Sequence, residues 1–322
     1  MSVGLDLGTT EFRSLRDSGE SLIARRCRTS YLVVRDTPGH RRLLANTQAR
    51  HGTCGSDLVV FGDDASECAA MLDLSVVPLL RDGRLPQGDP VARQILALMV
   101  EAILPAAESG TPICCLTVPG GYGLDADNQS LDVRFLKQLV TLRGYTPQVI
   151  SSGLAIVLAE LASSSFSGLG ISLGATNCEF SVVHCGRELA RCTIAGRLGE
   201  FCDEYLASQN TSRAAEKSDM LQTSWHRNCT RILSEILTEA REKLISEGSI
   251  RLIQQPMSIA CAGGISQSEG FEQLFLKAWG QSGWPVRIGQ TRIANNPGFA
   301  IARGGLIKAI LESQSTSGRR AA

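Results

Sequence analysis

The sequence predicts an α/β protein made of two similar halves. Each half begins with a short apolar strand that runs into a turn of small residues, Gly8-Thr9-Thr10 in the first half and Gly174-Ala175-Thr176 in the second. In both halves, further strand-like runs follow and then alternate with segments of helical periodicity. Strands that alternate with helices form layered sheets, so the sequence predicts a duplicated α/β architecture.

The first half shows this alternation clearly. Residues 3–7 form the opening strand, and residues 30–62 alternate strand-like runs with a polar, arginine-rich connection. Residues 89–106 predict an amphipathic helix, because apolar residues recur there at helical spacing. The predicted elements that follow are a strand at 112–118, a helix at 125–143, a strand at 148–150 and a buried helix at 153–161.

The second half repeats the outline. Its predicted strands lie at 169–173, 180–184, 188–193, 257–262 and 286–288. Its predicted helices lie at 199–207, 219–245, 271–279 and 298–311. Trp225, Ile232 and Ile236 fall roughly on one face of a helix, so residues 219–245 predict a single long helix.

Composition and charge exclude several classes of protein. The chain has 322 residues, with 32 Lys and Arg against 32 Asp and Glu, and 43% of it is hydrophobic. Balanced charge argues against a dedicated nucleic-acid-binding protein, and the apolar fraction argues against disorder. The sequence has no long apolar run and no signal-peptide pattern, so we expect a cytoplasmic protein without evident membrane contact. Eleven cysteines without a CxxC pair and four scattered histidines do not predict a zinc site.

The turn after the first strand has the composition of a phosphate-binding loop. Gly8 lets the backbone approach a ligand closely, and the N–H groups and hydroxyls of Thr9 and Thr10 offer hydrogen bonds to phosphate oxygens. Asp6 precedes the turn and is a candidate for holding hydrated Mg²⁺, an ion that keeps several waters and uses few protein ligands. Taken alone, the motif also fits an ordinary hairpin turn.

Two further turns repeat this chemistry. The turn in the second half contributes Gly174, Ala175, Thr176 and Asn177. Gly263 and Gly264 end another strand, where the lack of side chains lets a flat ring or a ribose lie against the backbone. Each turn is unspecific alone, whereas the three together indicate a nucleotide site.

In order and spacing, the three turns resemble those of the actin superfamily of ATP-binding proteins, and of the MreB-like bacterial actins in particular. VGLDLGTT is similar to the first phosphate loop of that superfamily, SLGATNCE to the second, and IACAGG to its adenosine motif. Further similarities in FGDDASE, CLTVPGG and NNPGFAIARGGL extend the resemblance over nearly the whole chain. The resemblance implies an actin-like (ribonuclease H-like) duplicated two-domain fold, with ATP and Mg²⁺ in a cleft between the domains and Glu216 near the nucleotide sugar.

The resemblance also implies domain boundaries. The first domain covers residues 1–150, contains a small inserted subdomain at about 30–75, and is completed by a C-terminal helix at about 298–322. The second domain covers residues 151–297, and the fourth subdomain of bacterial actins is largely missing from it. Since that subdomain supports filament contacts in relatives, its reduction bears on whether this chain polymerises.

Two positions depart from the family pattern where catalysis is concerned. Ser172 stands where the second phosphate loop normally opens with an aspartate near the metal, and Ser152 stands where a glutamate normally positions the attacking water. Serine is a poor replacement, because its hydroxyl does not act as a base near neutral pH. Asp6 and Glu179 remain as candidate catalytic residues.

The implied function is that of an ATP-binding, MreB-like cytoskeletal or scaffold protein, with a role in cell shape and with weak ATP hydrolysis. ATP and Mg²⁺ are the implied ligands, and self-association into filaments or binding of other proteins is the implied partnership. Two alternatives stay open. One is a degenerate nucleotide-binding scaffold that does not hydrolyse ATP, and the other is a small-molecule kinase of the same fold.

Overall fold

The computed structural model describes residues 2–320 except 81–82, 87, 109, 119, 121–130, 197, 199–214 and 247–254, and it describes no side chains at 215–223 and 316–320. The chain divides into two compact units. The first unit comprises Met1–Val149 and Lys308–Ala322, and the second comprises Ile150–Ile307.

Strands and helices alternate along the described chain. The strands are β1 (Val3–Leu7), β2 (Glu11–Asp17), β3 (Leu22–Arg28), β4 (Ser30–Arg35), β5 (His51–Cys54), β6 (Asp57–Phe61), β7 (Val77–Pro78), β8 (Ile113–Thr117), β9 (Thr146–Val149), β10 (Gly168–Leu173), β11 (Asn177–His184), β12 (Arg187–Ala195), β13 (Met257–Gly263) and β14 (Ile288–Ile293). The α-helices are α1 (Pro38–Thr47), α2 (Asp63–Leu72), α3 (Pro90–Ile103), α4 (Leu131–Leu142), α5 (Ser152–Glu160), α6 (Ala215–Ser246), α7 (Phe271–Gln281) and α8 (Ala300–Arg320).

The first unit is built on a five-stranded sheet in the order β3-β2-β1-β8-β9. Strand β1 pairs antiparallel with β2 and parallel with β8. Apolar side chains of this sheet, such as Leu5 and Phe12, form one core with Leu96 of α3 and Leu136 of α4. Alternate residues of β1 and β2 therefore face away from this core, and Asp6 is one of them.

Helix α3 illustrates how the sequence sets an element boundary. Asp89 precedes the helix, and one of its carboxylate oxygens accepts hydrogen bonds from the N–H groups of Val91 and Ala92, each at 3.0 Å. Pro90 occupies the first turn, where a proline lacks no hydrogen bond. The helix predicted at 89–106 is thus observed, with Asp89 as its cap.

A smaller sheet in the order β5-β6-β4-β7 lies within the first unit and packs against α1 and α2. The sequence predicts a polar connection at the position of α1. Thr37 caps this helix by accepting the N–H of His40, and Pro38 follows in the first turn. Only Leu44 of α1 is buried, so the helix has almost no apolar periodicity from which it could be predicted.

The second unit is built on a five-stranded sheet in the order β12-β11-β10-β13-β14. One face packs against α6 and α7, where Phe180 shares a core with Leu237 and Phe275. The other face packs against α5 at very close range. A Cβ atom added to Gly170 of β10 would lie 2.0 Å from the carbonyl oxygen of Gly153 in α5, so only glycine fits there.

The two sheets have the same order and the same strand directions. In each sheet, two successive antiparallel pairings lie on one side of the opening strand, and two successive parallel pairings lie on the other. The predicted duplicated α/β architecture is therefore confirmed.

Several helix boundaries differ from those predicted. The helix predicted at 125–143 is observed over Leu131–Leu142, and the first residues of the prediction, 125–130, lie outside the described residues. The helix predicted at 298–311 continues to Arg320. The helix predicted at 199–207 lies outside the described residues. Among the described helices, none combines the length and the apolar character needed to cross a membrane.

Candidate functional site

The loop between β1 and β2 is a tight turn that requires glycine at its first position. Leu7 and Phe12 are the last residues paired across the two strands. A Cβ atom added to Gly8 would lie 2.8 Å from the carbonyl oxygen of Glu11, closer than real Cβ contacts come. The predicted residues Gly8, Thr9 and Thr10 therefore form one compact loop directly after the strand that carries Asp6.

Thr29, which the sequence did not identify as a site residue, fixes this loop through two hydrogen bonds. Its side-chain hydroxyl donates a hydrogen bond to the carbonyl oxygen of Thr9, and its backbone N–H donates one to the carbonyl oxygen of Thr10 at 3.0 Å. Thr29 is buried, with 3% of its surface exposed. The loop is thus fixed by a residue that lies about twenty positions away in the sequence.

The loop between β10 and β11 repeats the same geometry. A Cβ atom added to Gly174 would lie 2.7 Å from the carbonyl oxygen of Asn177. The N–H of Gly174 donates to that oxygen at 3.1 Å, and the N–H of Gly196 donates to the carbonyl oxygen of Thr176 at 2.9 Å. Both predicted phosphate loops are therefore glycine-limited turns, that is, turns whose first position accepts only glycine. Neighbouring protein groups donate hydrogen bonds to their carbonyl oxygens.

The predicted Gly-Gly turn lies beside this second loop. Gly263 pairs in register with Leu173, the residue before Gly174. A Cβ atom added to Gly263 would lie 2.1 Å from the carbonyl oxygen of Leu173, and its φ of 129° is one that L side chains rarely adopt. Within the described part of the chain, no heavy atom lies within 4 Å of a Cβ atom added to Gly264. The structure thus brings the second loop and the Gly-Gly turn together, with open space at Gly264.

Asp6 is a buried carboxylate next to the first loop. The hydroxyl of Thr117 donates to its Oδ1 at 2.9 Å, and Nη1 of Arg13 lies 4.0 Å from its Oδ2. Burial raises the pKa of Asp6 above its usual value, while Arg13 and Thr117 act in the opposite direction. Asp6 is therefore held in place by partners on both neighbouring strands.

Arg13 is a second residue that sequence analysis missed. It pairs in register with Asp6, and its Nη2 lies 2.5 Å from Oε2 of Glu11. The side chain of Arg13 is 21% exposed and that of Glu11 is 16% exposed, so the ion pair is largely shielded from water. The alternation along β2 could have placed Glu11 and Arg13 on the face that carries Asp6.

Glu179 lies next to the first turn of α5, on the face of β11 opposite the core formed with α6 and α7. Its Oε1 accepts a hydrogen bond from the N–H of Gly153 at 3.0 Å. Burial raises the pKa of Glu179 to about 7, and Glu188 adds to the rise, whereas the N–H groups of Gly153 and Ser152 and the charge of Arg191 lower it. A carboxyl group of this kind changes its protonation near neutral pH and binds a helix N-terminus when ionised.

The predicted site residues thus fall into two sets, one in each unit. The first unit contains Asp6 and the loop of Gly8, Thr9 and Thr10. The second unit contains Glu179 with the residues Gly174, Ala175, Thr176, Asn177, Gly263 and Gly264. Glu216 lies in the first turn of α6, among the residues whose side chains are outside the described part of the chain. Among the described residues, no group of three or more His, Cys, Asp and Glu side chains could hold a metal ion.

A family model described as Volactin matches residues 1–309. The chain belongs to the Volactin family. No curated protein sequence gives a significant match to this family member.

Solved structures show which fold this Volactin family member has. MreB 5 of Spiroplasma citri bound to AMPPNP has a TM-score of 0.60 at 14% identity, over 99% of this chain and 98% of that one. The MamK double helical filament has a TM-score of 0.59 at 16% identity, over 96% and 98%. The apo psk41 ParM protein has a TM-score of 0.58 at 11% identity, over 98% of both chains.

These likenesses confirm the fold class and the resemblance inferred from the sequence. The Volactin family member has the actin-like, duplicated α/β fold and is similar along nearly its whole length to bacterial actins. At these identities the likeness concerns the fold.

Proposed function

We propose that this protein binds ATP through its two glycine-limited loops and acts as an actin-like cytoskeletal or scaffold protein. The observation that carries the proposal is the repeated loop geometry. Each loop follows the opening strand of its sheet, and in each a Cβ atom on the first glycine would collide with a carbonyl oxygen three residues later. Such turns expose successive backbone N–H groups, which bind anions.

The chemistry of the loops suits the phosphate groups of a nucleotide. Backbone N–H groups and the hydroxyls of Thr9, Thr10 and Thr176 supply neutral donors, and Arg13 supplies a cation beside the first loop. The open surface at Gly264 suits the adenosine, and we assign Glu216 to the sugar from the sequence resemblance alone. We propose that both loops contact the phosphates of one nucleotide, as in the cleft that the sequence implies.

Asp6 is the residue that we assign to the Mg²⁺ ion of Mg-ATP. When bound, Mg²⁺ neutralises phosphate charge and orients the phosphate oxygens. One oxygen of Asp6 already accepts a hydrogen bond from Thr117, and the other faces Arg13 at 4.0 Å. This arrangement fits a contact through a water molecule better than direct ligation.

Slow hydrolysis is the expected catalytic behaviour. Glu179 is the candidate base, since its pKa of about 7 suits proton transfer near neutral pH. Its carboxylate, however, accepts the N–H of Gly153 at the start of α5, and the neighbouring Ser152 offers no carboxylate. These observations favour, as a second candidate function, a nucleotide-binding scaffold that does not hydrolyse ATP.

Self-association into filaments is part of the proposal. One of the similar structures is described as a double helical filament of MamK, which supports a filament-forming function for a chain of this fold. We also propose that the domains follow the boundaries expected from the sequence, with a reduced fourth subdomain. Electron microscopy of the purified protein with and without Mg-ATP tests whether filaments form.

A variant at Gly264 tests nucleotide binding without disturbing the fold. Because no described residue lies within 4 Å of a Cβ atom added there, we expect Gly264→Val to fold and to fill the surface proposed for the adenosine. The control is Gly280→Val, at another glycine of the same unit, where a Cβ atom would meet no described residue outside its own helix within 4 Å. We expect Mg-ATP to raise the melting temperature of the wild type and of Gly280→Val, and to lose this effect in Gly264→Val. A wild type whose melting temperature does not respond to millimolar Mg-ATP would rule out the proposed function.

A further inference from the structure

We infer that this protein accepts metal-free nucleoside triphosphates about as readily as their Mg²⁺ complexes, because arginine already neutralises the carboxylates beside its first loop. The inference rests on the proposed nucleotide site and adds which ionic form of the nucleotide that site takes. It follows from the charges around the first loop, from the matching position in the second sheet, and from the position of Arg13.

Two carboxylates lie beside the first loop, and both have a guanidinium partner. Glu11 is bound by Arg13 at 2.5 Å and approached by Arg26 at 3.8 Å. Asp6 lies 4.0 Å from the same Arg13 and also accepts the hydroxyl of Thr117. With these four side chains ionised, two negative charges are balanced by two positive charges. The loop therefore presents little net negative charge to attract a divalent cation.

The second sheet offers no further carboxylate at the equivalent position. Asp6 pairs in register with Arg13 and Thr117, and the corresponding set in the second sheet is Ser172 with Glu179 and Ala262. Ser172 therefore stands where Asp6 stands in the first sheet. Glu179 belongs to the neighbouring strand, and its carboxylate accepts the N–H of Gly153 at the start of α5.

Arg13 is well placed to supply positive charge to phosphate. It is the third residue of β2, on the face of the sheet that carries Asp6. A guanidinium has five N–H donors, so contacts to Glu11 and Asp6 leave donors for a third anion. Charge-assisted hydrogen bonds from a guanidinium to phosphate do not need a metal ion.

The expected difference in ATP affinity with and without Mg²⁺ depends on how much an outer-sphere carboxylate contributes to metal binding. Removing such a partner typically lowers metal affinity about 10- to 100-fold. Because the partners of Asp6 and Glu11 already neutralise them, we expect the dissociation constants of ATP with Mg²⁺ and with excess EDTA to agree within about tenfold.

The test is a titration of the full-length wild type with ATP, by calorimetry, in Mg²⁺ and in excess EDTA. Arg13→Gln removes the cation that Asp6 and Glu11 share. It should raise the ratio of the dissociation constant in EDTA to that in Mg²⁺ by about tenfold or more. Arg25→Gln is the matched control, since Arg25 lies on the adjacent strand on the opposite face of the sheet. It should leave the ratio unchanged.

The outcomes separate this inference from the proposed function. Wild-type binding that weakens more than about tenfold in EDTA would overturn the inference while leaving the nucleotide site in place. Absence of binding in both conditions would instead overturn the proposed function, and the inference with it. The wild-type ratio needs no variant, so the inference stays testable even if Arg13→Gln does not fold. A folded Arg13→Gln whose ratio equals that of the wild type would also contradict it.

Discussion

Replacing Glu179 with glutamine should make the protein more stable at alkaline pH relative to the wild type. Burial raises the pKa of this carboxyl group from 4.5 to about 7, so the folded state holds its proton more tightly than the unfolded state does. The stabilisation from that proton is complete below the unfolded-state pKa and is lost as the pH rises through about 7.

The magnitude follows from the two pKa values. One pKa unit corresponds to about 1.4 kcal/mol, so the full contribution is about 3 kcal/mol. Between about pH 5.5 and about pH 8, the wild type should lose about 2 kcal/mol of it. Glu179→Gln cannot lose this contribution, because its side chain does not ionise, and its carbonyl oxygen can still accept the N–H of Gly153.

Urea unfolding followed by tryptophan fluorescence is a suitable assay. The three tryptophans of the chain, Trp225, Trp279 and Trp284, all lie in the unit that contains Glu179, so the signal reports on that unit. Glu235→Gln is the control: the side chain of Glu235 is 63% exposed, so this variant should keep the same loss of stability with pH as the wild type. If the wild type and Glu179→Gln lose stability in parallel between the two pH values, Glu179 is not protonated near neutral pH and the burial argument fails.

Three further substitutions follow from the described contacts. Gly263→Ala should lower the unfolding free energy measured by urea titration by about 2–4 kcal/mol, because its Cβ would lie 2.1 Å from the carbonyl oxygen of Leu173. Its control, Gly264→Ala, should change the unfolding free energy by less than about 0.5 kcal/mol. Thr29→Val should lower the unfolding free energy by about 1–2 kcal/mol, because the Thr9 carbonyl oxygen loses its hydrogen-bond donor. It should also weaken ATP binding measured by calorimetry, and an unchanged affinity would show that Thr29 does not shape the loop. Asp89→Ala should lower the unfolding free energy measured by thermal melting by about 1 kcal/mol, because alanine has no side-chain oxygen to accept the N–H groups of Val91 and Ala92. Asp89→Asn keeps such an oxygen and should be close to the wild type in stability.

The sequence predicted the features that depend on neighbouring residues. The apolar run of β1 and the glycine that follows it are enough to predict a strand and a tight turn, and the same holds for β10. Asp89 and Pro90 mark the start of α3 because a cap acts within one helical turn. The repetition of strand, turn and strands in both halves was sufficient to predict the duplicated fold.

The features that the sequence did not predict depend on distant contacts or on weak patterns. Thr29 reaches the loop at Thr9 only through the pairing of three strands, and Glu179 meets Gly153 only because α5 packs against β10 and β11. Helix α1 buries a single leucine, so its sequence reads as a polar connection. Arg13 acquires its place beside Asp6 from the register between β1 and β2, which the sequence does not specify.

The structure of the protein in complex with a non-hydrolysable ATP analogue tests the central claim most directly. The account predicts one analogue molecule whose phosphate oxygens lie within about 3 Å of backbone N–H groups in both the 8–10 loop and the 174–176 loop of the same chain. An analogue bound away from these loops, or one whose phosphates touch only one of them, would contradict it.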